Sequence, residues 1–254
     1  MTGGPGIRSV LTLSTPDLSP ALSAYRHLFG AGATSAGWHR WLVGATLLML
    51  REGRDQPRLL VPAGDLVPAS IATDAYVDAQ TLLARRACPV LTTDSISGAR
   101  TGVVDDAPVG IIEAAALEAS GAGTSGEILG LDHVVMSSRS RDGALALFGA
   151  VLGFDFRLDH RLSLPAGGEV QQLFFRGAGA IVEVLVDDAD GPAISLWGLA
   201  WTSADIDRSH TRLAAAGVEL SPIRAGRKRG TRVFTIRGAD FVVPTIVIGH
   251  GGKS

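Results

Sequence analysis

Apolar and polar positions along this chain fall into a pattern that recurs. "GIRSVLTLSTPDLSPALSAYRHLFGAG", from Gly6, and "GLDHVVMSSRSRDGALALFGAVLGF", from Gly130, follow one plan. Each runs through an apolar strand, a polar turn with an Asp, an amphipathic helix and a glycine stop. In the first helix Leu22, Tyr25 and Phe29 stand on one face, and Pro20 suits the first turn. Leu145, Phe148 and Leu152 repeat that spacing in the second, with Gly30 and Gly153 as C-terminal stops. Paired strand signals follow each helix, around Gly44 in one case and around Gly177 and Gly179 in the other.

The same order appears twice more. "ASIATDAYVDAQTLLARRACPVL" reads as a strand, a helix capped near Asp74, and an exit. "LWGLAWTSADIDRSHTRLAAAGVEL" reads likewise, with Ala204-Asp205 opening the helix and Gly217 closing it. Strands "TGVV", "VGIIEA", "TRVFTIRG" and "VVPTIVIG" complete four β-α-β-β-β units. One unit has too few strands to cover its own sheet. The expected fold is therefore α+β, with units paired into two cupped eight-stranded modules and the helices outside. The modules are expected at residues 1–117 and 129–254, joined by a small, polar, Gly-rich linker at 118–128.

Composition narrows the function. Of the 254 residues 46% are hydrophobic and 19% charged, as in a globular chain, and the net charge is −2. That balance gives no reason to expect nucleic acid or a membrane surface as partner. Neither a leader pattern nor an apolar run of the roughly 18 residues that span a bilayer is visible, so a soluble, cytoplasmic protein is expected. A single cysteine, Cys88, rules out an intrachain disulfide or a thiolate metal site and is expected to be buried. The expected partner is a small molecule, and the chain a monomer or homodimer.

The strand-opening "DHVV" before a capped helix, then "GAIVEVL", then a strand leading into "ADID", resembles the vicinal oxygen chelate superfamily. That group includes glyoxalase I, methylmalonyl-CoA epimerase, extradiol dioxygenases, fosfomycin-resistance enzymes and bleomycin-binding proteins. The likeness covers nearly the whole chain and is clearest from Gly130 to Ile248, toward the glyoxalase-like members. It implies metal ligands near the start of the first strand and in the last strand of each unit. In unit three these places hold His133 and Glu183. In unit four they hold Gly198 and Pro244, which offer no ligating side chain. In the N-terminal module they fall at about Ser9, Leu48, Ile71 or Ala72, and Glu113, of which only Glu113 is a good ligand type.

A catalytic metal site usually takes three protein ligands or more, and the C-terminal module supplies two. The two-histidine, one-carboxylate set of non-haem iron chemistry is missing, which argues against extradiol ring cleavage. The expected cofactor is none, or a divalent metal ion held by His133, Glu183 and one unforeseen residue. Without metal, strand alternation still turns His133 and Glu183 into the cup. A carboxylate among Ile181, Val182 and Leu185 needs a partner, and His133 is the obvious one. The pair can serve as a general base oriented by a carboxylate. This predicts proton-transfer chemistry, an isomerase or lyase step on a small carbonyl or hydroxy compound. The alternative is a non-catalytic binder that sequesters a small apolar molecule.

Of Gln171 and Gln172 one must face the cup, and Phe174 lies on the same strand, so these three are candidate substrate contacts. Gly198 is a fourth, because a small residue there leaves room for substrate. Trp201 is expected under the unit-four helix. His210 reads as a helix–sheet contact, His39 as a possible lining of the N-terminal cup, His160 as a weak second base, and His250 as part of a disordered tail. The basic run "RAGRKRGTR", Arg224 to Arg232, sits in a hairpin loop that can steer an anion.

Overall fold

The computed structural model describes residues 6–67, 73–117, 126–163, 168–187 and 193–250. The N-terminal half runs β1 (Ser9–Thr15), α1 (Leu18–Phe29), β2 (Ala33–Ser35), β3 (Trp38–Val43), β4 (Thr46–Glu52), β5 (Arg58–Pro62), α2 (Ala75–Arg85), β6 (Val90–Ile96), β7 (Ala99–Val104) and β8 (Val109–Ile112). The C-terminal half repeats it as β9 (Ile128–Ser138), α3 (Arg141–Ala144), β10 (Asp155–Ser163), β11 (Glu169–Gly177), β12 (Ala180–Val186), β13 (Ile194–Ser203), α4 (Ile206–Ala215), β14 (Arg224–Ala225), β15 (Thr231–Ile236) and β16 (Thr245–His250). Each half forms one eight-stranded sheet, in the orders β2-β3-β4-β1-β5-β8-β7-β6 and β10-β11-β12-β9-β13-β16-β15-β14. The two orders superimpose when β1 is matched to β9. In each, the opening strands of the two units lie side by side and antiparallel, at the centre of the sheet. This is the α+β, doubly repeated architecture that the sequence pattern predicts.

Two local readings change. The strand predicted before Asp74 falls on Ala69 to Ala72, which lie outside the described residues, as does the ligand place at Ile71 or Ala72. The position beside β1 is filled instead by β5, whose burial is continuous from Leu59 to Pro62. In unit three the helix beyond α3 widens into a π-helix over Leu145–Val151, where Leu152 N–H donates to Leu147 O at 2.9 Å. The wider turn buries Leu147 and Phe148 together and leaves Leu145 only half-buried.

The helices lie outside both cups and fill the space between the modules. Tyr25 and Phe29 of α1 pack on Trp41 of their own sheet, with ring centroids 6.0 and 6.4 Å away. Phe29 also meets the edge of Trp201 in the other module at 4.8 Å, and Tyr25 meets Phe241 at 5.0 Å. Trp201 is fully buried, and its ring meets Phe29 of α1 edge-on. Arg212 of α4 donates to His27 O and Leu28 O, the free carbonyls at the end of α1, and is held by Glu127 at 2.7 Å. A cation at a helix C-terminus is favourable both as a donor and against the helix dipole. Arg86 at the end of α2 donates to Val151 O at 2.5 Å in the same way.

The two cups differ. Strand alternation gives the N-terminal concave face Val10, Trp38, Leu47, Met49, Leu60 and Ile112, all buried. Ile96 and Leu117 close over them, so this cup is filled by its own side chains. Across the C-terminal cup the matching face carries Phe174, Ile246 and Ile248 half-exposed, and Leu158 on the rim is 50% exposed. The concave face of the C-terminal sheet is therefore less completely covered by its own side chains than that of the N-terminal one.

Candidate functional site

The site is set by register. Phe174 of β11, Glu183 of β12, Val135 of β9 and Gly198 of β13 are successive cross-strand partners and form one row across the C-terminal sheet. His133 lies two residues along β9, opposite Ala200. Its Nε2 stands 3.1 Å from Glu183 Oε2, so the two predicted residues meet on the floor of the cup. Their side chains are 13% and 10% exposed, little enough for their charges to depend on each other.

Two partners complete the network. Gln172, 3% exposed, donates its amide to Glu183 Oε1 at 2.5 Å. The pleat therefore turns Gln172 inward and Gln171 outward, where Gln171 donates to Asp159 at 2.7 Å. The second partner is Asp132, whose Oδ1 lies 2.7 Å from His133 Nδ1. Strict alternation would send Asp132 to the opposite face from His133. A β-bulge prevents this: Ala200 is paired with His133 but Trp201 with Leu131, so Asp132 is the extra residue of β9. Thr202 donates to the other Asp132 oxygen at 3.3 Å. His250 Nε2 lies 3.7 Å from the same oxygen. His250 is thus the end of β16, paired with Thr231 in the sheet, and not part of a disordered tail. Asp132 and His250 are the members that sequence reasoning missed.

Charge follows from this geometry. Burial works against an imidazolium at His133, but hydrogen bonds to Asp132 and Glu183 outweigh it and raise the pKa to about 9. The ring is protonated at neutral pH, with one N–H committed to each carboxylate, so it does not enter the cup as a free base. The hydrogen bond from His133 also holds the Asp132 carboxyl below the usual carboxylate range. From the basic hairpin, Arg227 reaches to 3.9 Å of Glu183 Oε1, with its side chain 66% exposed.

The other candidates take ordinary places. A second bulge, at Trp197, lets Gly198 pair with Val135, and a Cβ on Gly198 would meet Pro244 O at 3.0 Å. A larger side chain at Gly198 would have to push against the Pro244 carbonyl. Glu113 is held by Arg100 at 2.7 Å, and Arg100 also binds Asp74, the cap of α2, at 2.8 Å. That network is structural. His39 shares the face of Trp41 and Val43, away from the N-terminal cup, and bonds Thr34 at 3.0 Å. His160 faces inward beside Gln172 but is exposed at the sheet edge. His210 bonds Ser221 O at 3.0 Å and packs edge-on against Phe234, a helix–sheet contact. Cys88 is only half-buried, and burial pushes its thiol up.

The donor set does not fit a divalent metal. His133 and Glu183 offer two ligand atoms, Gly198 and Pro244 offer none, and Glu183 Oε1 already accepts from Gln172 with the Arg227 guanidinium 3.9 Å away. Among the described residues no three His, Cys, Asp or Glu side chains converge as a metal site would need. No described helix is long and apolar enough to cross a membrane.

The sequence matches no known family profile and no curated protein. Solved structures do match the fold. A triple mutant of 4-hydroxymandelate synthase from Streptomyces coelicolor aligns at a TM-score of 0.65 and 13% identity, covering 99% of this chain and 94% of that one. The 2,2',3-trihydroxybiphenyl 1,2-dioxygenase of Sphingomonas wittichii aligns at a TM-score of 0.62 and 16% identity, covering 98% and 90%. At such identities the likeness shows a shared fold, the tandem vicinal oxygen chelate architecture, over essentially the whole length.

Proposed function

We propose that this chain, with its tandem vicinal oxygen chelate fold, is a small-molecule enzyme working in the C-terminal cup. It moves a proton on a carbon next to a carbonyl or hydroxyl group, as an isomerase or lyase does. The observation that supports this is the Glu183 carboxylate on the concave face of the C-terminal sheet, aimed by Gln172 and by a protonated His133. Glu183 is the base. It takes the C–H proton while the electron pair moves onto the carbonyl oxygen, and the proton returns to carbon in the product. His133 orients Glu183 and keeps the site's charge balanced, and Asp132 fixes the ring through Nδ1. A carboxylate has about four lone-pair positions. Two are used here, by Gln172 and His133, which leaves room to accept a proton. Arg227 is the cation nearest a developing oxyanion.

The test is exchange. Small 2-hydroxy and 2-oxo acids and their neutral ketone analogues are incubated with the protein in D2O, and wash-in at the carbon next to the carbonyl is followed by NMR. Glu183→Gln, which keeps the shape and the Gln172 contact, is expected to lower the rate on any exchanging compound about 100-fold or more. An exchange rate equal in wild type and Glu183→Gln sinks the assignment.

A second reading is a non-catalytic binder. It is favoured by the closure of the Gln172–Glu183–His133–Asp132 chain, in which each charge already has a partner. It predicts saturable binding of apolar compounds in the cup, with no exchange on any of them.

A further inference from the structure

Where the modules meet, a cavity of about 480 Å³ lies beside Asp132. Its wall is built from the starts of β9 and β10, the turn between β11 and β12, and one residue of the other module, Arg8. Three arginines line it, Arg8, Arg157 and Arg176, with two acidic residues, Asp132 and Asp155.

Both carboxylates are already engaged. Asp155 is held by Arg157 at 3.0 Å, although Arg176 is its cross-strand partner, and Asp132 is held by the imidazolium of His133. Among the described residues neither Arg8 nor Arg176 forms an ion pair, so the cavity carries two uncompensated cations drawn from two modules. Arg8 reaches the seam because Gly179 stands opposite it. Gly179 has φ of +70°, and a Cβ there would collide with the Arg8 side chain. Planar guanidinium groups lining one space suit an anion with two or three equivalent oxygens, which they bind through paired N–H donors.

We propose that this seam cavity binds an anionic group, a phosphate or a carboxylate, carried by the molecule that enters the C-terminal cup. The assignment rests on that cup being the working cleft. Asp132 lines the cavity on one side and holds His133 on the other, so a ligand anchored here extends along β9 toward Glu183. The filled N-terminal cup then has a role in the site, as the support that presents Arg8.

Isothermal titration of inorganic phosphate and of acetate, at low ionic strength, tests this directly. The proteins are wild type, Arg8→Gln, Arg176→Gln, the double variant, and Arg229→Gln as a control in the basic hairpin, outside the cavity lining. Each single change is expected to weaken anion binding about fivefold or more, and the double change to abolish it. Arg229→Gln binds as wild type does. Phosphate bound more tightly than acetate assigns a phosphate-bearing ligand, and the reverse order a carboxylate. Arg8→Lys and Arg176→Lys keep the charge without the planar fork and are expected to fall between wild type and the Gln variants. Circular dichroism and melting confirm that every variant folds. No binding of either anion to wild type, equal binding by the double variant, or an equal loss in Arg229→Gln overturns the proposal. Glu183→Gln separates the two assignments: it keeps anion binding whether or not the exchange reaction exists.

Discussion

Asp132 and His133 are adjacent in sequence and yet point to the same side of β9, where the carboxylate holds the ring at 2.7 Å. A bulge opposite Ala200 and Trp201 makes this possible. The pair gives the site a fixed imidazolium, and four predictions follow from it and from its surroundings.

Asp132→Asn removes one of the two charges that sustain His133. The ring pKa should fall from about 9 by at least about one unit, read from the imidazole proton shifts in an NMR titration. A titration that stays at the wild-type value would mean that Glu183 alone sustains the charge.

Stability should depend on pH in a defined direction. His133 has a folded pKa of about 9 against an ordinary 6.5, so its contribution is complete below about pH 6.5 and is lost as pH rises through 9. Asp132 works the other way. Its depressed folded value gives stability above its ordinary pKa of 3.8 that is lost as pH falls through the folded one. Urea unfolding should therefore show a plateau between about pH 4 and 6.5, then a decline of about 3 kcal/mol or less toward pH 9. His133→Asn should remove the alkaline decline. A wild-type curve flat from pH 6 to 10 would contradict the ion network.

Phe29 joins the modules by its edge-on contact with Trp201. Phe29→Ala should cost about 3–5 kcal/mol, since it empties a fully buried aromatic position between two sheets. Both sheets should lose stability together when unfolding is followed by tryptophan fluorescence and by circular dichroism. Two separated transitions in the wild type would show modules that fold independently.

Two donor atoms do not hold a divalent ion firmly. Adding Mn2+, Ni2+ or Zn2+ should leave both the melting temperature and the His133 titration unchanged, because bound metal must displace the Nε2 proton. A metal-dependent fall in the His133 pKa, absent in Glu183→Gln, would restore a metal site.

The repeat of strand, capped helix and paired strands, read from alternation and glycine stops, determined the four units and the eight-stranded pairing. It did so because burying one face of a sheet forces a period of two, and burying one face of a helix forces 3.6. The same alternation brought His133 and Glu183 together, since a buried carboxylate among aliphatic side chains must find a partner. What alternation cannot express was decided by tertiary structure. The bulge in β9 turned Asp132 into the cup, and pairing of β16 with β15 carried His250 to it from the far end of the chain. Which glutamine faces inward depended on the register of β11 against β12. That the N-terminal cup is filled by its own side chains depended on where Ile96 and Leu117 came to rest. These are long-range packing outcomes, set by how whole strands meet and not by any local run of residues.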